Sequence, residues 1–505
     1  MAMTIDDLTE SPHDRALADQ VAPRSWVNPK PHGRYNLVVL GAGTAGLVCA
    51  AGAAGLGAKV ALVEGKRLGG DCLNDGCVPS KAILRAARAA ADARDAGLLG
   101  VNVPRPISVD FPAVMERMRR LRAGIAHHDS AERFRSLGVD VYFGQGAFTG
   151  PDTLTAGGQT LRFARAVVAT GARAKWPDLP GLDRVNAHTN ESIFNLTSLP
   201  ERLIILGAGP IGAELAQGFR RFGSEVHLVN RSERFLPKEE PDAAGVVRSA
   251  LERDGVVFHL GIELIDVDRF EGSTVLHIGR NGRRESLEAE VLLVATGRAA
   301  NVDGIGLDAA GVAYSASGVG VNDFLQTSNP RIYAAGDVCS AYRFTHAADA
   351  MARIVLRNAL FFGRARAGGL VIPWCTYTDP ELAHIGLTTA QAAEKGIAID
   401  VFTQPFGEVD RAVLDGRSEG FASVLVRKGK DEILGATVVA PHAGDIIAGL
   451  SLAMTQKLGL KAFATTILPY PTQSEALKKL GDAFMKTKLT PRTSKFLRTI
   501  LKWRR

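Results

Sequence analysis

The sequence predicts an α/β chain: two Rossmann-like, parallel-sheet domains followed by a C-terminal α+β domain. Three observations carry this. A strand, a glycine fingerprint and a helix occur in that order at NLVVL–GAGTAG and again at ERLIIL–GAGPIG, 166 positions apart. Each set runs on into a second strand, KVALVE (59–64) and EVHLVN (225–230), and strand–helix–strand alternation argues a parallel sheet. Beyond about Pro373 the texture turns to short alternating runs, FASVLVRK (421–428) and ILGATVVA (433–440), with helical stretches at 443–458 and 473–486.

Length and composition bound the rest. The 505 residues suit two to four domains, at about 100–200 residues each. With 46% apolar and 22% charged residues the chain can bury a core. No apolar run reaches the ~18 residues of a membrane span. The opening MAMTIDDLTESPHDR has no apolar segment of the secretory kind. Five cysteines in this length do not make a disulfide scaffold, so a reducing, cytoplasmic setting is expected. The net charge of +7 is unevenly placed. Positions 478–505 hold ten Lys/Arg against Asp482 alone, a balance of +9, and the remainder sums to −2. A body of that charge is not built to bind nucleic acid.

Taken in order, residues 1–33 are polar, carry four prolines and read as a loose N-terminal arm, either free or packed late against the body. The first fingerprint is Gly41-Ala42-Gly43-Thr44-Ala45-Gly46. Gly41 allows the tight turn, Gly43 lets the backbone approach a pyrophosphate, and Gly46 permits close helix–strand packing. Glu64, 23 positions after Gly41, ends the next strand, where a carboxylate can accept from ribose hydroxyls. The second fingerprint, Gly207, Gly209 and Gly212, differs at the corresponding strand end: Asn230 replaces the acid, and Arg231 and Arg234 follow. Without the carboxylate a 2′-phosphate is no longer repelled, and arginines can pair with it, which favours NADPH over NADH.

Between these two units lies GDCLNDGC, with Cys72 and Cys77. C-x4-C is a poor zinc spacing, with no second Cys/His pair nearby, and no residue set is singled out as a metal site. So small a ring gains little as a structural staple. Pro79-Ser80-Lys81 and a helical run follow directly, which puts Cys77 just before or at a helix N-terminus. There the helix dipole lowers a thiol pKa, and a low-pKa thiolate beside a partner cysteine is a redox pair. Cys49, Cys339 and Cys375 have no such context and read as core residues.

GGDCLNDGCVPSK resembles the redox motif of the class I pyridine nucleotide–disulfide oxidoreductases: lipoamide dehydrogenase, glutathione reductase and mercuric reductase. The resemblance extends over about 34–480. It includes two ATG turns, with Thr170 and Gly171 in the first and Gly297 in the second, and IYAAGDV with Gly336 and Asp337. It implies FAD held by the first fingerprint, Glu64, Gly70, Thr170, Gly171, Gly336 and Asp337, with His346 at a helix head facing the flavin. It implies the pyridine nucleotide on the second fingerprint and Gly297. It further implies a Cys72–Cys77 disulfide reduced by the flavin, Cys77 as the thiolate against the ring, Cys72 as the exposed interchange thiol, and a Lys81–Glu214 ion pair beside flavin N5. The implied domains are FAD-binding over 34–175 and 297–370, NAD(P)-binding over 176–296, dimerisation over 371–480 in a homodimer, and a basic tail over 481–505.

The family's disulfide reductases end in a His-Pro-Thr motif whose histidine, with a glutamate five positions on, serves the partner subunit's site. This chain reads Tyr470-Pro471-Thr472 with Glu475 retained. A phenol with pKa near 10 is a poor general base at neutral pH. Tyrosine at this place is similar to mercuric reductase, but the sequence ends LKWRR without a vicinal Cys-Cys, and no N-terminal metal-binding domain with its own cysteine pair precedes it. The acceptors to weigh are a soft metal ion, which is favoured, a small disulfide, or a quinone-like molecule. A flavoprotein that senses redox state or carries electrons at a membrane without turnover is a further reading. In the tail, Phe496, Leu497, Ile500, Leu501 and Trp503 share one helical face and basic residues cover the rest. Over 489–505 that face either packs on the enzyme's own dimer or rests peripherally on an anionic membrane.

Overall fold

A computed structural model describes residues 11–505. They form two compact units: the chain up to Glu233 with Val256–Leu370, and Arg234–Gly255 with Val371–Arg505.

In the first unit, Arg34–Leu40 lies between Val60–Glu64 and Gln159–Val168, parallel to both. Val139–Phe143 extends the sheet on one side and Ile332–Ala334 joins Gln159–Val168, again parallel. A hairpin over 146–156 adds an antiparallel edge. Val38, Val39, Ala61 and Leu62 are fully buried, as continuous apolar runs in a two-sided parallel sheet must be. A second parallel sheet runs in the order Val257–Leu260, Glu225–Asn230, Arg202–Leu206, Val291–Val294, Ala187–His188. The chain passes between the halves at Ala172–Ala174 and Arg298–Ala300, which pair with each other directly after the two ATG turns. In both sheets the fingerprint follows the carboxyl end of the first strand, where doubly wound sheets bind their ligands.

Of the two expectations for residues 1–33, the packed arm holds for 12–21; residues 1–10 lie outside the described residues. Pro12–Val21 is a helix, capped by Ser11, whose hydroxyl accepts from the His13 N–H. Leu17 and Val21 are wholly buried. Asp14, only 1% exposed, pairs with Arg122 at 2.7 Å and with Arg119 at 3.4 Å. Composition could not decide between them because this helix is held by two arginines more than a hundred positions away.

The second unit is a five-stranded antiparallel sheet ordered 373–376, 381–386, 433–440, 421–427, 399–405. Helices Ala443–Thr455 and Glu475–Lys486 lie near the expected 443–458 and 473–486. Pro241–Asp254, expected within 176–296, groups with this unit. Glu239 and Glu240, just ahead of it, accept from Trp374 Nε1 at 2.7 Å and from the Thr389 hydroxyl at 2.9 Å.

Removing the Asp14 carboxylate leaves the buried Arg122 guanidinium without its paired carboxylate and Arg119 with Glu116 alone, at 3.4 Å. Asp14→Ala should cost about 3–5 kcal/mol, read as a lower urea midpoint. A change under about 0.5 kcal/mol, the range of surface substitutions, would show that the helix is not part of the core.

Candidate active site

Cys72 lies within a short helix, Gly70–Asn74, and Cys77 is the first residue of the long helix Cys77–Asp95. The first of these helices was not foreseen. Both are free thiols, Cys72 half-buried and Cys77 exposed. That reverses the exposure expected for the pair. Cys77 is not enclosed by its own chain, and a sulfur that must touch a cofactor ring cannot be.

The two sulfurs are electrostatically unlike. The Cys72 thiol donates to Cys77, and this contact is the main reason that Cys77 is held down to about 6. Thr345 Oγ1, 3.4 Å from the Cys77 sulfur, and the Lys81 ammonium lower it further, while burial opposes them. The same contact, with burial, pushes Cys72 well above the usual thiol range. One sulfur is a thiolate near neutrality and the other keeps its proton. Thr345 opens the helix Thr345–Leu360, with His346 second in it. His346 is exposed and stacks on Phe344, 5.5 Å between ring centres.

The stretch between the cysteines is pinned by buried polar groups. Arg67 grips Asp75 through both carboxylate oxygens, at 3.0 and 2.9 Å. Arg122 Nη1 donates to the Asn74 carbonyl at 2.7 Å, and Asn190 to that of Asp75 at 3.1 Å. The Asn74 amide reaches back to the carbonyls of Leu68 and Gly70. Burial raises Asp75 to about 6 against the pull of Arg67. Lys81 Nζ meets Glu214 at 2.8 Å, joining the redox helix to the helix Pro210–Phe222 that opens on the second fingerprint. The expected ion pair is therefore formed.

The glycines fit two nucleotides. A Cβ at Gly41 would lie 2.4 Å from the Ala169 carbonyl oxygen, and one at Gly46 1.8 Å from that of Gly41. At Gly70, φ +57°, it would meet Gly43 Cα at 2.7 Å. Gly43 itself has only Gly70 Cα, at 3.7 Å, and so keeps an open face at the helix head. The second fingerprint repeats this: Gly207 and Gly212 are wedged against backbone, and Gly209 has nothing within 4 Å. Gly171 and Gly297 are likewise open and have positive φ. Thr170 Oγ1 bonds the Asn301 carbonyl at 2.7 Å.

Glu64 departs from its expected aim. Its oxygens accept from the N–H groups of Ala42 and Lys66, each at 2.7 Å, so it first braces the glycine turn; its remaining lone pairs are what a ribose could use. Asp337, raised by burial against Arg298, lies 3.5 Å from Arg298 Nε. Arg298 also pairs with Asp71, next to Cys72. Gly336, at φ +85°, packs against Ala45 and Ala348. Asn230 donates to the Ser232 carbonyl at 3.0 Å, and Arg231 is exposed. Arg234, also exposed, is the first residue of the other unit.

In the second unit Tyr470 is 70% exposed. Its hydroxyl donates to Asp410 Oδ2 at 2.7 Å, and that bond raises its pKa. Glu475 Oε2 is buried with no hydrogen-bond partner among the described residues. The hydroxyl of Tyr470 is thus engaged by Asp410. Arg67, Arg122, Thr345, Arg298 and Asp410 were all missed. Only Arg67, separated from GGDC by Leu68 alone, carried a local signal.

Thr345→Val removes a donor to the Cys77 thiolate and should raise its pKa. The pH midpoint of iodoacetamide alkylation of the reduced protein should move upward from about 6; a shift of one unit corresponds to about 1.4 kcal/mol. Thr345→Ser should leave it in place, and an unmoved midpoint in the valine variant would remove Thr345 from the site.

Residues 35–352 match the profile of the pyridine nucleotide-disulphide oxidoreductases, and 372–480 match the dimerisation domain of those proteins. Mercuric reductase of Staphylococcus aureus is 34% identical, over 90% of this chain and 83% of its own length. Dihydrolipoyl dehydrogenase of Bacillus subtilis is 32% identical, over 88% and 96%. The HOCl-induced flavoprotein disulfide reductase RclA of Escherichia coli superposes with a TM-score of 0.79 at 26% identity, covering 89% of this chain and 99% of that one. That reductase has also been solved as a Cu(II) complex.

Proposed function

The chain belongs to the pyridine nucleotide–disulphide oxidoreductase family, and from that premise we propose that it passes electrons from NADPH to the Cys72–Cys77 pair and on to a soft metal ion. The family uses FAD and NAD(P)H, and its dimerisation domain makes a homodimer of the chain. FAD, when bound, supplies the two-electron relay between the pyridine nucleotide and the thiols. It would rest on Gly41, Gly43, Gly46, Gly70 and Asp337, with His346 at the head of the facing helix. Lys81, oriented by Glu214, keeps a positive charge beside Cys77. Cys77 stays ionised, and Cys72 holds the proton and meets the acceptor.

Proton balance carries the choice of acceptor. NADPH and a divalent ion such as Hg(II) give NADP⁺, one released proton and the zero-valent metal. NADPH and a disulfide RSSR give NADP⁺ and two RSH only if one further proton is taken up. The disulfide reaction therefore needs a group that trades protons near pH 7. Tyr470, its O–H donated to Asp410 and its pKa raised, is poor at both giving and taking a proton. The second reading is a small-disulfide reductase. It is favoured by the intact cysteine pair and by the likeness to an E. coli disulfide reductase.

NADPH oxidation should be supported by Hg(II) far better than by oxidised glutathione or lipoamide, and Cys77→Ala should abolish it. Turnover with the disulfides alone would sink the metal reading. Tyr470→His should raise disulfide turnover at pH 7 by about tenfold or more, since a placed acid–base contributes 10²–10⁴, while Hg(II) turnover stays within about twofold.

Asn230 and Arg231 support NADPH over NADH. Arg231→Ala should raise the KM for NADPH by about 10- to 150-fold, the ~1.5–3 kcal/mol range of a charged hydrogen bond, and leave that for NADH nearly unchanged. Equal effects on both would mean that Arg231 does not read the 2′-phosphate.

A further inference from the structure

The oxidoreductase reading leaves the C-terminal helix unused. Pro491–Trp503 forms a regular helix with none of its residues buried. Thr490 caps it, its hydroxyl accepting from the Thr493 N–H at 3.2 Å, and proline stands in the first turn. Phe496, Leu497, Ile500, Leu501 and Trp503 follow helical spacing along one face, Phe496 being 64% and Trp503 93% exposed. Lys495, Arg498 and Lys502 cover the opposite face, Arg492 flanks the apolar one beside Phe496, Arg504 and Arg505 follow, and the stretch contains no acid.

A helix of 13 residues is marginal in water without a surface to pack on. What covers it must be apolar on one side and anionic on the other. Nucleic acid would answer the charge and leave five apolar side chains in water. A second copy of the helix would answer the apolar face and bring two sets of six cations together. The headgroup layer of an anionic bilayer answers both. Apolar side chains enter the acyl boundary, basic ones meet the phosphates, and each cation near such a surface contributes favourably. A terminal Trp suits that boundary.

We propose that the helix Pro491–Trp503 holds this protein on the surface of anionic phospholipid bilayers. The helix would lie in the surface, since no described helix is long and apolar enough to cross a membrane.

The test is co-sedimentation of the full-length holoenzyme with phosphatidylcholine vesicles with and without 30% phosphatidylglycerol. Binding should require phosphatidylglycerol and weaken at least tenfold between low salt and about 0.5 M salt, as the screening length shortens. Lys495→Glu with Arg498→Glu, or deletion of 491–505, should lower it at least tenfold with NADPH oxidation unchanged. Trp503 emission should shift to the blue on binding, and Trp503→Phe should remove that shift. Failure of the intact protein to bind, binding that survives the deletion, or equal binding to duplex DNA would each overturn the proposal. So would a dimer that falls apart on deletion, read by light scattering, since the helix would then belong to the second copy. Loss of oxidoreductase activity in any acceptor assay bears on the preceding reading and leaves this one standing.

Discussion

A thiolate at Cys77 exists near neutral pH only while its donors stay within reach. The Cys72 thiol, the Thr345 hydroxyl and the Lys81 ammonium come from three separate elements. Hydrogen bonds to a charged sulfur are strong but fall off within a few tenths of an ångström and a few tens of degrees. The site therefore depends on the rigidity of what surrounds it more than on the cysteines themselves. The residues around GDCLNDGC provide that rigidity: Arg67 on Asp75, Arg122 and Asn190 on backbone carbonyls, and the Asn74 amide closing the turn on itself.

Rigidity of this kind has an electrostatic cost. Arg122 is as buried as its partner Asp14, and burial lowers its pKa. Buried ion pairs seldom add net stability, but breaking one is severe. They do specify geometry. Here the counter-charge arrives on the N-terminal helix, so the first ordered turn of the described chain is tied, through one guanidinium, to a carbonyl between the two redox cysteines. Asp71, paired with Arg298, carries the polar contacts on to Asp337.

Local pattern made much of this legible. Strands such as EVHLVN and ILGATVVA fall where the sequence puts them, because apolar runs bounded by glycine fingerprints leave few alternatives. The Lys81–Glu214 pair is formed, and Cys77 opens its helix. The failures concern long-range charge. Nothing in PHDRALADQV signals that Asp14 will be buried, because its partner lies 108 positions away. Glu64 turns to the backbone of its own glycine loop, and Tyr470 turns to Asp410, which no local pattern marked. In each case a polar side chain took the donor or acceptor that tertiary packing brought closest.

A low-pKa thiolate at Cys77, a protonated partner at Cys72 and a pyridine nucleotide as electron source form one chain of consequence. Stepwise anaerobic titration of the purified holoprotein with NADPH tests it most directly. Uptake of two electrons should produce a broad long-wavelength absorbance from the Cys77 thiolate against the oxidised flavin, lost in Cys77→Ala. Bleaching of the flavin from the first addition, with no such band, would contradict it: the thiol pair and the flavin would then not be in electronic contact.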